Sequence, residues 1–171
     1  GGVGFARVNG GGNVMRLATL PSSRANETHA ALVVGPEFAG PYDLDVSMLT
    51  ERQLRTNGPP NPWEVAWLVW NYTDDAHYYY FIPKPNGWEV GKRDPAYPGG
   101  QRFLATGNSP QYPVGVWYRV RLRVEQPGVS SLWVDGLRIA TFSDTERPYD
   151  RGRIGFYLED AVAAFADVQL R

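Results

Sequence analysis

Aromatic and polar side chains that could recognise a sugar are concentrated in one stretch of the sequence. Ten aromatic residues fall between Trp63 and Tyr97, and Asn, Arg and Glu residues are interspersed among them. Flat apolar rings pack against the C–H faces of a sugar ring, while amide, guanidinium and carboxylate groups bind its hydroxyl or carboxylate groups. We therefore predict a saccharide-binding surface in this stretch. The alternative for any single ring is burial in a protein core.

The same stretch also offers residues for two kinds of polysaccharide cleavage. Glycoside hydrolysis usually needs two carboxylates about 5 to 10 Å apart; Glu64 with Glu89 is one pairing, whereas Asp43 and Asp45 are expected on a solvated strand face. Elimination on a uronic acid polymer instead needs a group that neutralises the carboxylate and a Tyr or His that transfers protons. Residues of these types are Asn71, His77, Tyr78, Tyr80 and Arg93. The candidate catalytic residues are therefore Tyr80, His77, Glu64 and Glu89.

Composition excludes several other functions. The 17 basic and 18 acidic residues give a net charge of -1, which argues against a nucleic acid or an anionic membrane as partner. The absence of cysteine excludes disulfides, thiolate metal sites and cysteine nucleophiles. Two histidines without cysteine are a poor basis for a zinc site. We expect a monomer whose partner is a poly- or oligosaccharide.

Short alternating strands must position these residues. The 171 residues suffice for one domain, and 19 Gly with 14 Pro suit many turns between buried strands. Alternation is clearest over Tyr118–Glu125, and Asp135-Gly136 is typical of a tight hairpin turn. Similar runs elsewhere predict about a dozen strands, with at most one helical turn in Ser47–Arg55. We predict an all-β fold, a two-sheet antiparallel β-sandwich that occupies residues 1–171 as a single domain.

Four ordered strings resemble the C-terminal half of the concanavalin A-like, laminin-G-like jelly rolls, and weaker similarity extends from about residue 30 to the C-terminus. They are Trp117–Arg121, Leu132–Gly136, Gly152–Phe156 and Phe165–Val168. This superfamily contains lectins, carbohydrate-binding modules, glucanases and polysaccharide lyases, so the resemblance implies a jelly roll but no single activity. It also implies that a ligand binds on the concave face of one sheet or at its rim, in a secreted protein.

The resemblance further implies which side chains face the ligand. If Leu68, Trp70, Tyr79 and Phe81 point into the core, strand alternation places the next residues on the opposite face. The predicted substrate-binding residues on that face are Trp67, Asn71, Tyr78, Tyr80, Lys84, Glu89 and Arg93. We expect their rings to be exposed to solvent until a ligand covers them. A register error of one residue would exchange the two sets. Glu64 is then expected at a strand end in solvent, or as an acid held in a pocket.

Relatives of this type also suggest a metal site. Several hold a structural calcium ion through an acidic residue in the last strand, where this sequence has Asp167. The first 13 residues contain no acidic partner, so Asp167 would need backbone carbonyl groups as further ligands. No other cofactor is expected.

Two functions follow from these observations. The first is extracellular carbohydrate recognition on an aromatic-rich concave sheet face. The alternative is a polysaccharide-cleaving enzyme, either a lyase acting on uronic acid polymers or a glycoside hydrolase, that uses the same face. A third hypothesis is an adhesion domain whose exposed rings contact another protein.

Overall fold

The computed structural model describes residues 2–7 and 13–171, with side chains from residue 13 onward, and these residues form thirteen strands and one short 3₁₀ turn at Pro98–Gly100. The strands are β1 (Gly2–Arg7), β2 (Asn13–Ala18), β3 (Ala30–Ala39), β4 (Tyr42–Gln53), β5 (Ala66–Asp74), β6 (His77–Lys84), β7 (Gly87–Arg93), β8 (Gln101–Gly107), β9 (Trp117–Gln126), β10 (Val129–Val134), β11 (Leu137–Ser143), β12 (Arg151–Glu159) and β13 (Ala161–Leu170). Among the described residues, no helix has the length and apolar character needed to cross a membrane.

The strands form two antiparallel sheets. One has seven strands in the order β1-β2-β13-β4-β9-β10-β11, and the other has six in the order β3-β12-β5-β6-β7-β8. The predicted two-sheet β-sandwich is therefore confirmed. The sequence allowed at most one helical turn within Ser47–Arg55. No such turn forms, because β4 continues as a strand to Gln53.

The main core lies between the two sheets. Leu68, Trp70, Tyr79 and Phe81 point into it, as their alternation indicated, and they meet buried residues of the seven-stranded sheet such as Leu122. The side chains between them on β5 and β6 point to the outer face of the six-stranded sheet. There, Trp67, Val69, Tyr78, Tyr80 and Ile82 form a separate apolar cluster.

Alternating charges cover the outer face of the seven-stranded sheet. Arg121 and Arg123 of β9 donate hydrogen bonds to Asp45 and Asp43, which lie directly across from them on β4. These four residues form ion pairs between neighbouring strands, in which the two aspartates bind arginine side chains.

Candidate functional site

A cavity of about 730 Å³ lies on the outer face of the six-stranded sheet. All six strands contribute to its lining, and the loops before and after β5 add Trp63 and Asp75. The lining residues carried by the strands are Ala30, Leu32, Trp67, Val69, Tyr72, Tyr78, Tyr80, Lys84, Glu89, Arg93, Gln101, Phe103, Tyr157 and Glu159. The cavity therefore combines aromatic rings with several ionisable groups on a sheet surface.

The Tyr80 ring lies across β7 because Gly91, its partner on that strand, has no side chain. A Cβ atom added to Gly91 would overlap the Tyr80 hydroxyl and come within 2.8 Å of the Arg102 carbonyl oxygen. The Tyr80 hydroxyl reaches Gln101 on β8 and accepts a hydrogen bond from its side-chain amide. Burial raises the pKa of Tyr80 above its ordinary value. The phenol therefore lies flat on the sheet and is fixed between three strands.

Trp67 joins this ring to the other end of the cavity. Its indole packs edge-on against Tyr157, with ring centroids 4.8 Å apart, and lies 5.3 Å from the Tyr80 ring. Its Nε1 donates a hydrogen bond of 2.8 Å to the carbonyl oxygen of Trp63, which fixes the loop that carries the second indole. Trp63 remains 44% exposed, and Phe103 on the edge strand β8 is 58% exposed. These two are the most exposed rings of the lining, and Tyr72 and Tyr157 are half-buried.

The expectation that the predicted rings are exposed to solvent is wrong for all three of them. Trp67, Tyr78 and Tyr80 are all buried, with Tyr80 fully so. They are on the outer face of the sheet, but they cover one another and the backbone of neighbouring strands. A ligand would therefore contact only the small exposed edges of Trp67 and Tyr78, while Trp63 and Phe103 offer larger open surfaces.

Most charged groups of the cavity have a polar partner within the protein. Lys84 forms an ion pair with Glu89. The Asp75 carboxylate accepts a hydrogen bond of 2.7 Å from the hydroxyl of Tyr72. Arg93 differs from Lys84, because its side chain forms no ion pair within the described residues and its Nη1 instead donates to the carbonyl oxygen of Gly99 at 3.2 Å.

Glu159 is a carboxyl group whose ionisation the cavity opposes. Burial raises its pKa above the ordinary value, and the negative charges of Asp160 and Glu64 act in the same direction. The Tyr157 hydroxyl, which donates to Glu159 at 2.6 Å, and the positive charge of Arg93 partly offset this increase. Glu159 therefore takes up a proton more readily than a solvated glutamate.

The structure brings six of the seven predicted binding residues to the cavity, and the seventh, Asn71, is a wrong prediction. Its backbone has φ of 49° where the pairing of β5 with β6 shifts register. The amide therefore turns inward, accepts a hydrogen bond of 3.0 Å from the Tyr42 hydroxyl and donates one of 2.9 Å to the Tyr149 carbonyl oxygen. Tyr72, the next residue, lines the cavity instead.

Of the four catalytic candidates, only Tyr80 and Glu89 line the cavity. His77 lies in the hairpin after β5, where its Nδ1 is 2.8 Å from the Asp74 carboxylate. Glu64 is not at a solvated strand end, because it is fully buried and accepts a hydrogen bond of 2.6 Å from Arg55. The pairing of Glu64 with Glu89 is therefore not assembled.

Asp167 lies near the end of β13 and accepts a hydrogen bond of 3.0 Å from Ser47. Within residues 2–7 and 13–171, no three His, Asp or Glu side chains lie close enough together to share a metal ion. The side-chain arrangement around Asp167 thus supplies no acidic ligand set for the suggested calcium ion.

Several lining residues were not predicted from the sequence. Gln101 and Phe103 lie on β8, a strand that the alternation did not indicate, and Tyr157 and Glu159 lie on β12. The signal available for β12 was the alternation of Tyr157 and Glu159 with the buried Phe156 and Leu158. Trp63 belongs to the aromatic-rich stretch but precedes the strand.

No family model and no curated protein sequence matches this chain. Solved structures do match it. The carbohydrate-binding module CBM66 from Bacillus subtilis is 13% identical with a TM-score of 0.68, and the match covers 99% of this chain and 92% of that one. Sheep galectin-11, in complex with glycerol, is 11% identical with a TM-score of 0.58, over 82% of this chain and 96% of that one.

A third similar structure is the mixed linkage glucan GH16 protein of Bacteroides ovatus in complex with a product. It is 10% identical with a TM-score of 0.61, over 99% of this chain and 85% of that one. At these identities the likeness concerns the fold. The chain has a two-sheet jelly-roll fold similar to the folds of these proteins.

Proposed function

We propose that this protein binds a saccharide in the cavity on the outer face of its six-stranded sheet. The observation that carries the proposal is a cavity of about 730 Å³ in which accessible rings and ionisable groups lie on rigid strands. Such a combination suits a ligand with apolar C–H faces and many hydroxyl groups. The carbohydrate-binding module among the similar structures supports this choice. We further propose that the protein acts outside the cell, as a monomer.

The arrangement favours binding over elimination on a uronic acid polymer. Tyr80 would have to act as the proton-transferring group, but its hydroxyl is buried and already bonded to Gln101, and its raised pKa opposes loss of the proton. The alternative proton carrier, His77, lies outside the cavity lining beside Asp74. The residue types needed for a lyase are present in the chain, but the structure does not bring the proton-transferring groups together in the cavity in a usable form.

Glycoside hydrolysis is the second candidate, and one observation favours it. Glu159, whose pKa is raised, shares the cavity with the carboxylate of Glu89. A protonated and an ionised carboxyl group are the two components of glycosidase chemistry. The ion pair of Glu89 with Lys84 reduces its value as a nucleophile or base, so we rank hydrolysis below binding.

The proposed binding site is tested by replacing two equally exposed tryptophans, one inside the cavity and one outside it. Trp63 lies in the cavity lining and Trp117 begins β9 in the other sheet, and each is 44% exposed. Calorimetric titration with a panel of oligosaccharides should first identify a ligand for the wild-type protein. Trp63→Ala should then weaken that ligand's affinity, while Trp117→Ala should leave it unchanged.

The exposed area of Trp63 sets the expected size of the effect. If the whole side chain offers about 250 Å², its exposed part is about 110 Å², and a sugar covering half of it gains about 1.4 kcal/mol. This corresponds to about a tenfold weaker Kd for Trp63→Ala. Equal affinities of the two variants would refute the proposed site. Release of reducing ends during incubation with the ligand would establish hydrolysis instead.

A further inference from the structure

We infer that the saccharide bound in this cavity is acidic and that Arg93 binds its carboxylate or sulfate group. The inference rests on the proposed function, because it concerns the chemistry of the ligand at the same site. It follows from the distribution of charge among the lining residues, which leaves one cationic group without an anionic partner.

Arg93 is the one lining cation, among the residues described, that has no carboxylate within 4.0 Å. The other cation, Lys84, is neutralised by Glu89. The remaining acidic groups of the lining, Asp75 and Glu159, accept hydrogen bonds from the hydroxyls of Tyr72 and Tyr157. The lining therefore contains an available guanidinium group but no close acidic partner for it.

The protein holds this guanidinium in place without using up its donors. Nη1 donates to the Gly99 carbonyl oxygen at 3.2 Å, in the 3₁₀ turn between β7 and β8. A Cβ atom added to Gly100 would lie 3.4 Å from Nη2, so the turn packs closely against the side chain. A guanidinium group has five N–H donors, and its planar edge matches the two oxygens of a carboxylate or sulfate.

A neutral sugar would leave the positive charge of Arg93 covered and unmatched, which is unfavourable. Glu159 does not take the place of an external anion, because it forms no ion pair with Arg93 within 4.0 Å and burial, by raising its pKa, disfavours its ionised form. An anionic substituent on the ligand would give Arg93 the anionic partner that it lacks among the described residues. Carboxylate and sulfate share this chemistry, and they are distinguished by experiment.

The test uses ligands that differ in charge but little in shape. Calorimetric titrations compare trigalacturonic acid with its methyl ester, and a κ-carrageenan oligosaccharide with the same oligosaccharide after desulfation. One acidic ligand should bind about ten to a hundred times more tightly than its neutral counterpart, as expected for a charge-assisted hydrogen-bond pair. A preference within the galacturonate pair identifies the group as a carboxylate. A preference within the carrageenan pair identifies it as a sulfate.

Three variants assign that preference to Arg93. Arg93→Gln should reduce the preference for the acidic ligand to less than about threefold, whereas Arg93→Lys should retain part of it. Arg138→Gln is the matched control, because Arg138 is exposed on β11 of the other sheet and lies outside the cavity lining. Thermal unfolding of each variant verifies that it is folded.

The outcomes separate this inference from the proposed function. Equal binding of acidic and neutral ligands, or a preference that persists in Arg93→Gln, overturns the assignment to Arg93 and leaves saccharide binding intact. Binding of no saccharide, acidic or neutral, overturns both. Loss of the preference in Arg138→Gln as well would show a nonspecific charge effect and would also overturn the assignment.

Discussion

Replacement of Lys92 by methionine is expected to destabilise the protein strongly, because its ammonium group is the cation at the centre of a buried oxygen cluster. Lys92 is fully buried, and its Nζ lies 2.7 Å from the Asp144 carboxylate. The same group donates to the carbonyl oxygens of Glu146 at 2.7 Å and Arg147 at 3.1 Å. Methionine fills a similar volume but leaves these oxygens without their shared donor.

The magnitude follows from the partners that remain. Removing one member of a buried ion pair typically costs about 3 to 5 kcal/mol. Asp144 would keep hydrogen bonds from Tyr79 at 2.8 Å and Arg102 at 3.1 Å, so we expect the lower end, about 3 kcal/mol. In a domain of this size, 1 kcal/mol changes the Tm by about 2 to 4 °C, which gives a decrease of about 6 to 12 °C.

Lys84, the only other lysine of the chain, provides the control. Its ion pair with Glu89 retains contact with solvent, since the two side chains are 17% and 11% exposed. Lys84→Met should therefore lower the free energy of unfolding by only about 1 kcal/mol. Urea titrations of both variants give the two values. A loss for Lys92→Met no larger than that for Lys84→Met would refute this account of the cluster.

Two further predictions concern the cavity itself. Tyr80→Ala should lower the free energy of unfolding by about 3 to 5 kcal/mol, because its ring is fully buried against β7. A urea midpoint close to that of the wild type would contradict this. Glu159→Gln should increase stability at neutral pH. Burial raises the pKa of Glu159 above its ordinary 4.5, so the native state binds the proton more tightly than the unfolded chain, and wild-type stability falls as the pH rises between the two pKa values. The variant lacks this decline, so its advantage should disappear below about pH 4. Parallel stability profiles of the two proteins would disprove the prediction.

Alternation of side chains allowed the two faces of β5 and β6 to be predicted from the sequence. Successive residues of a strand point to opposite sides, so placing Tyr79 and Phe81 in the core directs Tyr78 and Tyr80 outward. The prediction failed at Asn71, since a shift in strand register with a positive φ reverses the alternation. Nothing in the local sequence of β5 indicates that shift.

Other features were not predictable because they depend on distant residues. Glu64 is buried through its pairing with Arg55, nine residues earlier, and Arg55 also contacts Asp160 near the end of the chain. The strand β8 has few fully apolar positions and is recognisable only by its pairing with β7. Only the assembled sheet brings Phe103 and Gln101 beside the aromatic-rich strands.

The packing of the Tyr80 ring on Gly91 affects how selectively the cavity binds its ligands. A phenol fixed by backbone on one face and by Trp67 and Gln101 at its edges cannot rotate to follow the outline of an incoming molecule. Little conformational entropy is then lost on association, but misfitting shapes cannot be accommodated by rearrangement. Discrimination between stereoisomers at a single ring carbon should consequently be sharp, because the exposed edges of Trp67 and Tyr78 pack against this fixed ring and cannot yield to an axial substituent.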